Sequence, residues 1–129
     1  MKQKRFLTYF FLPLFAACLF TSCDDDLEVT IDENLLVGYW QAVDTPTEYW
    51  RFDAQHEGET WDLSEDVQEG EGTRFNWNSS LTKLHIDLYG EMGQHVFYDY
   101  TFTAQSHNEF TWKDTYGNTR TFVRKQFYQ

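Results

Sequence analysis

Eight short strands in sequence predict an all-β fold, an eight-stranded antiparallel up-and-down β-barrel. Three observations predict it. After Asp32 the apolar residues recur at every second position, not every third or fourth. Clusters of Gly, Asn, Asp and Ser break the runs at short intervals, as hairpin turns do. A meander of eight strands exposes two edges unless it closes on itself. Closure at this strand number gives an interior that side chains fill or that holds one small ligand. The alternative is an open β-sandwich of two four-stranded sheets.

The first strand runs through Leu35–Val43, with Gly38 two residues ahead of Trp40. Thr47–Ala54 alternates, with Trp50 and Phe52 on one face and Arg51 and Asp53 on the other. His56-Glu57-Gly58 reads as a turn, and Glu59–Leu63 follows with Trp61 and Leu63 on one side. Ser64–Gly72 is a long acidic loop. Thr73–Trp77 and Leu81–Tyr89 alternate again, the latter with Leu84, Ile86 and Leu88 against Lys83, His85 and Asp87. After the turn Gly90–Gly93 comes the longest strand, Gln94–Thr103, with Val96, Tyr98, Tyr100 and Phe102 on one face. Glu109–Asp114 turns Phe110 and Trp112 inward, and Tyr116-Gly117-Asn118 leads into Thr119–Lys125.

Residues 1–22 stand apart from this pattern. Lys2, Lys4 and Arg5 precede a run, Phe6–Phe20, that is apolar except at Thr8 and Pro13. The run is shorter than the roughly 20 residues needed to span a bilayer, and it reads as a secretory signal peptide. Leu19-Phe20-Thr21-Ser22-Cys23 resembles the lipobox of bacterial lipoproteins, with Phe20 where that box usually has an aliphatic residue. The resemblance implies cleavage before Cys23 and acylation of Cys23, with chains such as palmitate. Cys18 leaves with the signal, so no disulfide remains to be made. Several acyl chains hold firmly where one alone is marginal. Asp24-Asp25-Asp26 resembles the acidic signal that sends some lipoproteins to the cell surface. These features imply a lipid-anchored protein of the outer membrane, exposed on the cell surface or, alternatively, held on the periplasmic face. Residues 23–34 are expected to be an acidic tether and 35–129 the barrel domain.

Charge limits the partners. The chain has 10 basic and 21 acidic residues. Removing Lys2, Lys4 and Arg5 leaves 7 against 21, a net charge of −14. Such a surface repels phosphate backbones, so nucleic acid is not an expected partner. Of the 12 Phe, 8 Tyr and 5 Trp, Phe6, Tyr9, Phe10, Phe11, Phe15 and Phe20 leave with the signal; the other 19 supply the core, each ring burying about 150–250 Å².

Gly38-Tyr39-Trp40 at the head of the first strand resembles the G-x-W motif of lipocalins, and more closely the lipocalin-like domains of bacterial lipoproteins. The resemblance implies that Gly38 and Trp40 close one barrel end and that an Arg of the last strand packs across the indole. Arg124 matches that position, with Arg120 the second choice. It also implies a binding module. Missing the C-terminal helix and disulfide of larger lipocalins, the chain is not expected to hold a roomy pocket.

Chemistry beyond binding has little support in the residues. The acidic loop has Val67 and Thr73 where a calcium loop needs Gly and a bidentate acid. A four-residue turn at 90–93 sets His85 against Tyr98 and His95 against Leu88, which builds no zinc site. Ser106 and His107 are adjacent in a turn, not opposed from fixed elements as a nucleophile and its base must be. No metal or cofactor is expected, and hydrolase activity is the remote alternative. The expected function is a non-enzymatic binding module. A small amphipathic ligand would sit at the mouth among Trp61, Trp77, Tyr98 and Tyr100. The alternative is an accessory subunit that binds a protein or glycan through its outer face, where Tyr39 and Phe97 are expected to be exposed. The number of aromatics favours a filled interior.

Overall fold

A computed structural model describes residues 27–126. The chain forms a closed eight-stranded antiparallel barrel in simple up-and-down order. The strands are β1 (Gly38–Ala42), β2 (Glu48–Phe52), β3 (Glu57–Asp62), β4 (Thr73–Ser80), β5 (Lys83–Tyr89), β6 (His95–Gln105), β7 (Glu109–Lys113) and β8 (Thr119–Lys125). Closure is made by β1 against β8, where Trp40 faces Arg124 and Ala42 faces Phe122. The sandwich is therefore ruled out.

One end of the barrel is closed by the chain that precedes β1. A single helical turn, α1 (Glu33–Leu36), is capped by the Asp32 carboxylate, which accepts from Asn34 N. Leu36 is fully buried and Ile31 nearly so. The approach to α1 is bonded to the barrel rim: Val29 N donates to Phe102 O and Ile31 N to Leu81 O. Asp32 N donates to Gln105 Oε1, and Gln105 Nε2 donates back to Asp32 O. Glu33 accepts from Ser79 Oγ and lies 2.9 Å from His56 Nε2. Residues 28–34 thus belong to the barrel and not to the tether expected over 23–34. Val29, Ile31 and Leu36 are apolar and have a rim to bury against; the acidic residues between them carry the polar bonds.

The interior is stacked with rings from the closed end upward. Trp40 meets Phe110 at 4.6 Å between ring centroids, and Phe110 stacks on Phe102 at 5.0 Å. The next level holds Trp112, Phe122, Trp50 and Phe75, all nine-tenths or more buried. Tyr100 stacks on Trp112 at 4.0 Å and begins the open end.

Two details of register differ from the sequence reading. The turn after β2 lies at Asp53–His56, where Asp53 N donates to Glu57 O, so Gly58 is inside β3. A Cβ on Gly58 would sit 2.4 Å from the Phe75 ring, so glycine lets that ring cover the backbone. After β5, Gly90 N bonds to Gln94 O and the link is five residues long. His85 consequently faces Asp99, and His95 faces Tyr89. The parity follows from burial. Leu84, Ile86 and Leu88 share the inner face with Tyr100, Tyr98 and Val96 only in this register.

Candidate functional site

The four residues expected to line a mouth do not converge. Trp77 points inward near the closed end, 2 % exposed, with its indole N–H donating to Glu57 O and its ring 4.5 Å from that of His56. Trp61 faces outward. Its β2 partner is Tyr49, whereas the inward Trp50 pairs with Thr60. Only Tyr98 and Tyr100 stand at the open end, one stacked on the other at 6.1 Å.

Trp61 is buried because the acidic loop folds over it. Tyr49 stacks on its ring at 5.8 Å and Tyr39 meets its edge at 6.3 Å. Glu59, 3 % exposed, fastens the loop by accepting from Gly70 N and Gly72 N at 2.8 and 2.7 Å. Arg51 bonds to Glu59, Asp53 and Glu69, and Glu69 also accepts from the Tyr39 hydroxyl. Tyr39 is therefore half-covered, not the exposed contact residue expected. Carboxylates at both ends of the loop are used within the protein: Asp62 caps the turn at Ser64, and Glu71 accepts from Gln68 N.

At the closed end, Arg124 lies over Trp40, its Cζ 4.3 Å from the ring. Gly38, at φ 138°, leaves room for the guanidinium, since a Cβ there would stand 2.4 Å from Nη1. Burial lowers the Arg124 pKa. Arg120, the second choice for this contact, is at the opposite end, 5.2 Å over Phe122.

The open end holds a charged lattice above the rings. Arg120 donates to Asp44 and Glu48, each at 2.9 Å from Nη2. Glu48 also accepts from the Trp50 indole N–H at 2.7 Å. Burial works against the Arg120 charge, but the two carboxylates outweigh it and raise its pKa. The hydrogen bond from Arg120 in turn holds Asp44 below the usual carboxylate range. Burial pushes the Tyr100 hydroxyl up to about 12. Beyond this lattice the β5–β6 hairpin projects with Met92 97 %, Phe97 74 % and Tyr98 43 % exposed. Two shallow grooves run along its outer face, of about 420 Å³ over Lys83, His85 and Thr101 and about 350 Å³ beside Asn78 and Phe97.

Among the described residues no group of three His, Cys, Asp or Glu is placed to hold a metal. Ser106 Oγ bonds to Glu109 O and not to an imidazole. No helix among them is long and apolar enough to cross a membrane. Cys23 and Asp24–Asp26 lie outside the described residues. Comparison of the chain with family models, with curated proteins and with solved structures finds no match.

Proposed function

We propose that this chain is a lipid-anchored, exported, non-enzymatic binding module of lipocalin-like build, held to the outer membrane through acylated Cys23. Its contact surface is the open end, not an engulfing pocket. The observation that carries the reading is the opposition of the two ends. The N-terminal segment is fastened across the closed end at Val29 and Ile31, while exposed Met92, Phe97 and Tyr98 crown the other. Cys23 precedes Leu27 by four residues, a reach of about 14 Å at 3.3–3.6 Å per residue. An anchor there keeps the closed end near the lipid.

Rings occupy the lower and middle barrel, so a small amphipathic ligand has room only at the rim, against Tyr98, Tyr100 and the Arg120 lattice. Exposed large apolar side chains gathered at one end, Met92, Phe97 and Tyr98, support this end as the interaction site. The reading is tested in cells that export the full chain. Labelled palmitate is incorporated into the parent and lost from Cys23→Ala. Met92→Cys reacts with an impermeant maleimide on intact cells. A parent chain without label, or a maleimide reaction only after lysis, overturns the anchored, surface-exposed form. For the rim, a bile-type amphiphile serves as probe: it raises the melting temperature of the parent and not of Tyr98→Ala. An equal shift in both overturns the rim site.

A further inference from the structure

The barrel closes, yet it leaves one edge open. β6 has eleven residues, and β5 covers it from Thr101 up to His95. β7 pairs with it only from Thr101 downward. His95–Tyr100 therefore has a neighbouring strand on one flank alone. The bonding pattern identifies the groups left over. Gly90 N donates to Gln94 O and Phe102 N to Thr82 O, so the even-numbered residues of β6 bond toward β5. The N–H and C=O groups of His95, Phe97 and Asp99 point to the empty flank, and none has a backbone partner among the described residues. Protected edges carry Lys, Pro or a bulge. From His95 to Tyr100 there is no Lys, Pro or bulge and Asp99 is the one carboxylate, while Val96, Phe97 and Tyr98 are 40, 74 and 43 % exposed.

We propose that this edge pairs with the same edge of a second copy of the chain, antiparallel, about a two-fold axis at Phe97. The sequence His95-Val96-Phe97-Tyr98-Asp99 is complementary to itself when reversed. In that register His95 faces Asp99 of the second copy, Val96 faces Tyr98, and Phe97 faces Phe97. Neighbouring registers set Phe97 against His95 or Asp99 and leave Asp99 with no imidazole opposite it, and Thr101 is already taken by Lys113. Within one copy His85 Nδ1 lies 2.6 Å from Asp99 and His95 Nδ1 lies 2.8 Å from Asp87. Pairing extends these into a row of alternating imidazoles and carboxylates across the seam, His85, Asp99, then His95 and Asp87 of the other copy. Hydrogen-bonding and apolar pairs set directly across from each other favour a ladder. Main-chain bonds supply the adhesion, as in other strand additions. The two open ends turn toward each other and the two N-termini point apart, so copies anchored through Cys23 pair from two facing membranes and not side by side in one. This deepens the reading of the open end as the contact surface and names its partner, but the seam needs neither Cys23 nor an acyl chain.

Disulfide trapping in the full chain tests the register. Facing bonded residues stand about 5.5 Å apart at Cα, within disulfide reach. Phe97→Cys is expected to give a reducible dimer on oxidation, above any background the parent shows through Cys18 and Cys23. Asp99→Cys is expected to stay monomeric, because two copies of residue 99 would be about 13 Å apart along the strands. The double variant His95→Cys, Asp99→Cys is expected to link through two bridges and serves if Phe97→Cys fails to fold. Adding Phe97→Pro to it removes an N–H that the barrel does not use, and linking is expected to disappear while near-ultraviolet circular dichroism is retained. Monomeric Phe97→Cys and His95→Cys, Asp99→Cys chains that keep the native spectrum overturn the proposal. So does equal linking at Asp99→Cys, or linking of Phe97→Cys to a different protein.

Discussion

Arg124 and Trp40, 84 positions apart in sequence, face each other across the β1–β8 seam. The guanidinium lies 4.3 Å from the indole and bonds three carbonyls: Val37 O at 3.1 Å, His107 O at 2.6 Å, and Leu35 O. One side chain thus ties the α1 turn, the β6–β7 link and the closing strand together, while the indole N–H donates to Leu36 O from the other side. Arg124→Ala is expected to lower stability by roughly 2–4 kcal/mol in urea unfolding, from the lost stacking and charged hydrogen bonds. Arg124→Lys recovers only part, since an ammonium does not reach three carbonyls as a planar fork.

Gly38→Ala is expected to destabilise as well, by about 1–3 kcal/mol, because a φ of 138° strains any residue with a Cβ. Combined with Arg124→Ala it should cost less than the sum, since the guanidinium that the Cβ meets is gone. The double-mutant cycle measures that coupling.

Glu59→Gln is expected to release the acidic loop before it unfolds the barrel. The carboxylate accepts from two glycine amides and from Arg51, and an amide side chain presents one acceptor oxygen in place of two. Faster exchange of the Gly70 and Gly72 amides and faster proteolysis within residues 63–72, with a smaller fall in melting temperature, are the expected signs. Protection at those amides equal to the parent's would contradict the latch.

Acid unfolding should draw on Glu33 and Asp44. The hydrogen bond from Ser79 is the leading cause that lowers Glu33, and the one from Arg120 does the same for Asp44. A carboxylate whose folded pKa is depressed stabilises above its unfolded value, about 4, and loses that contribution as pH falls through the folded value. Glu33→Gln and Asp44→Asn should therefore be less stable than the parent at neutral pH and lose less between about pH 4.5 and 2. Urea midpoints measured across that range give the slopes.

Tyr100 provides the alkaline counterpart. Burial pushes its hydroxyl up to about 12, above the ordinary value near 10. A raised folded value means stability is intact below pH 10 and is lost as pH rises through about 12. Tyr100→Phe should flatten that loss and remove one late-titrating phenol from the ultraviolet difference spectrum.

Trp112→Ala should cost roughly 3–5 kcal/mol, since the ring touches Tyr100, Trp50 and Phe122 and no neighbour is free to fill its volume. Thermal unfolding compared with the parent gives the loss.

The barrel and its strand order were legible because each rests on local alternation and on one topological requirement, that a meander hide its edges; the pairing of Trp40 with Arg124 was expected only from the resemblance carried by Gly38-Tyr39-Trp40. Trp61 was not legible. Glu57-Gly58-Glu59-Thr60-Trp61-Asp62 presents its one large ring on the outer face, and only the loop folded over it supplies burial. The buried Glu59 gave no signal either, since its partners Gly70 and Gly72 are recognisable only once the loop has folded back. The facing of His85 and Asp99 depended on one residue of turn length, yet the shared apolar face of β5 and β6 already contained the parity.

Read alone, the chain determined where its strands lie, that they are antiparallel neighbours, and which face of most of them is apolar, because alternation is a property of each strand by itself. Tertiary structure decided what covers each surface: that residues 28–36 close one end, that the acidic loop hides Trp61, and that β6 outruns β7. These are matters of relative length and of distant segments meeting. A period of two along one strand has no information about how far its neighbour extends, so the open edge at Phe97 emerges only when all eight are set side by side.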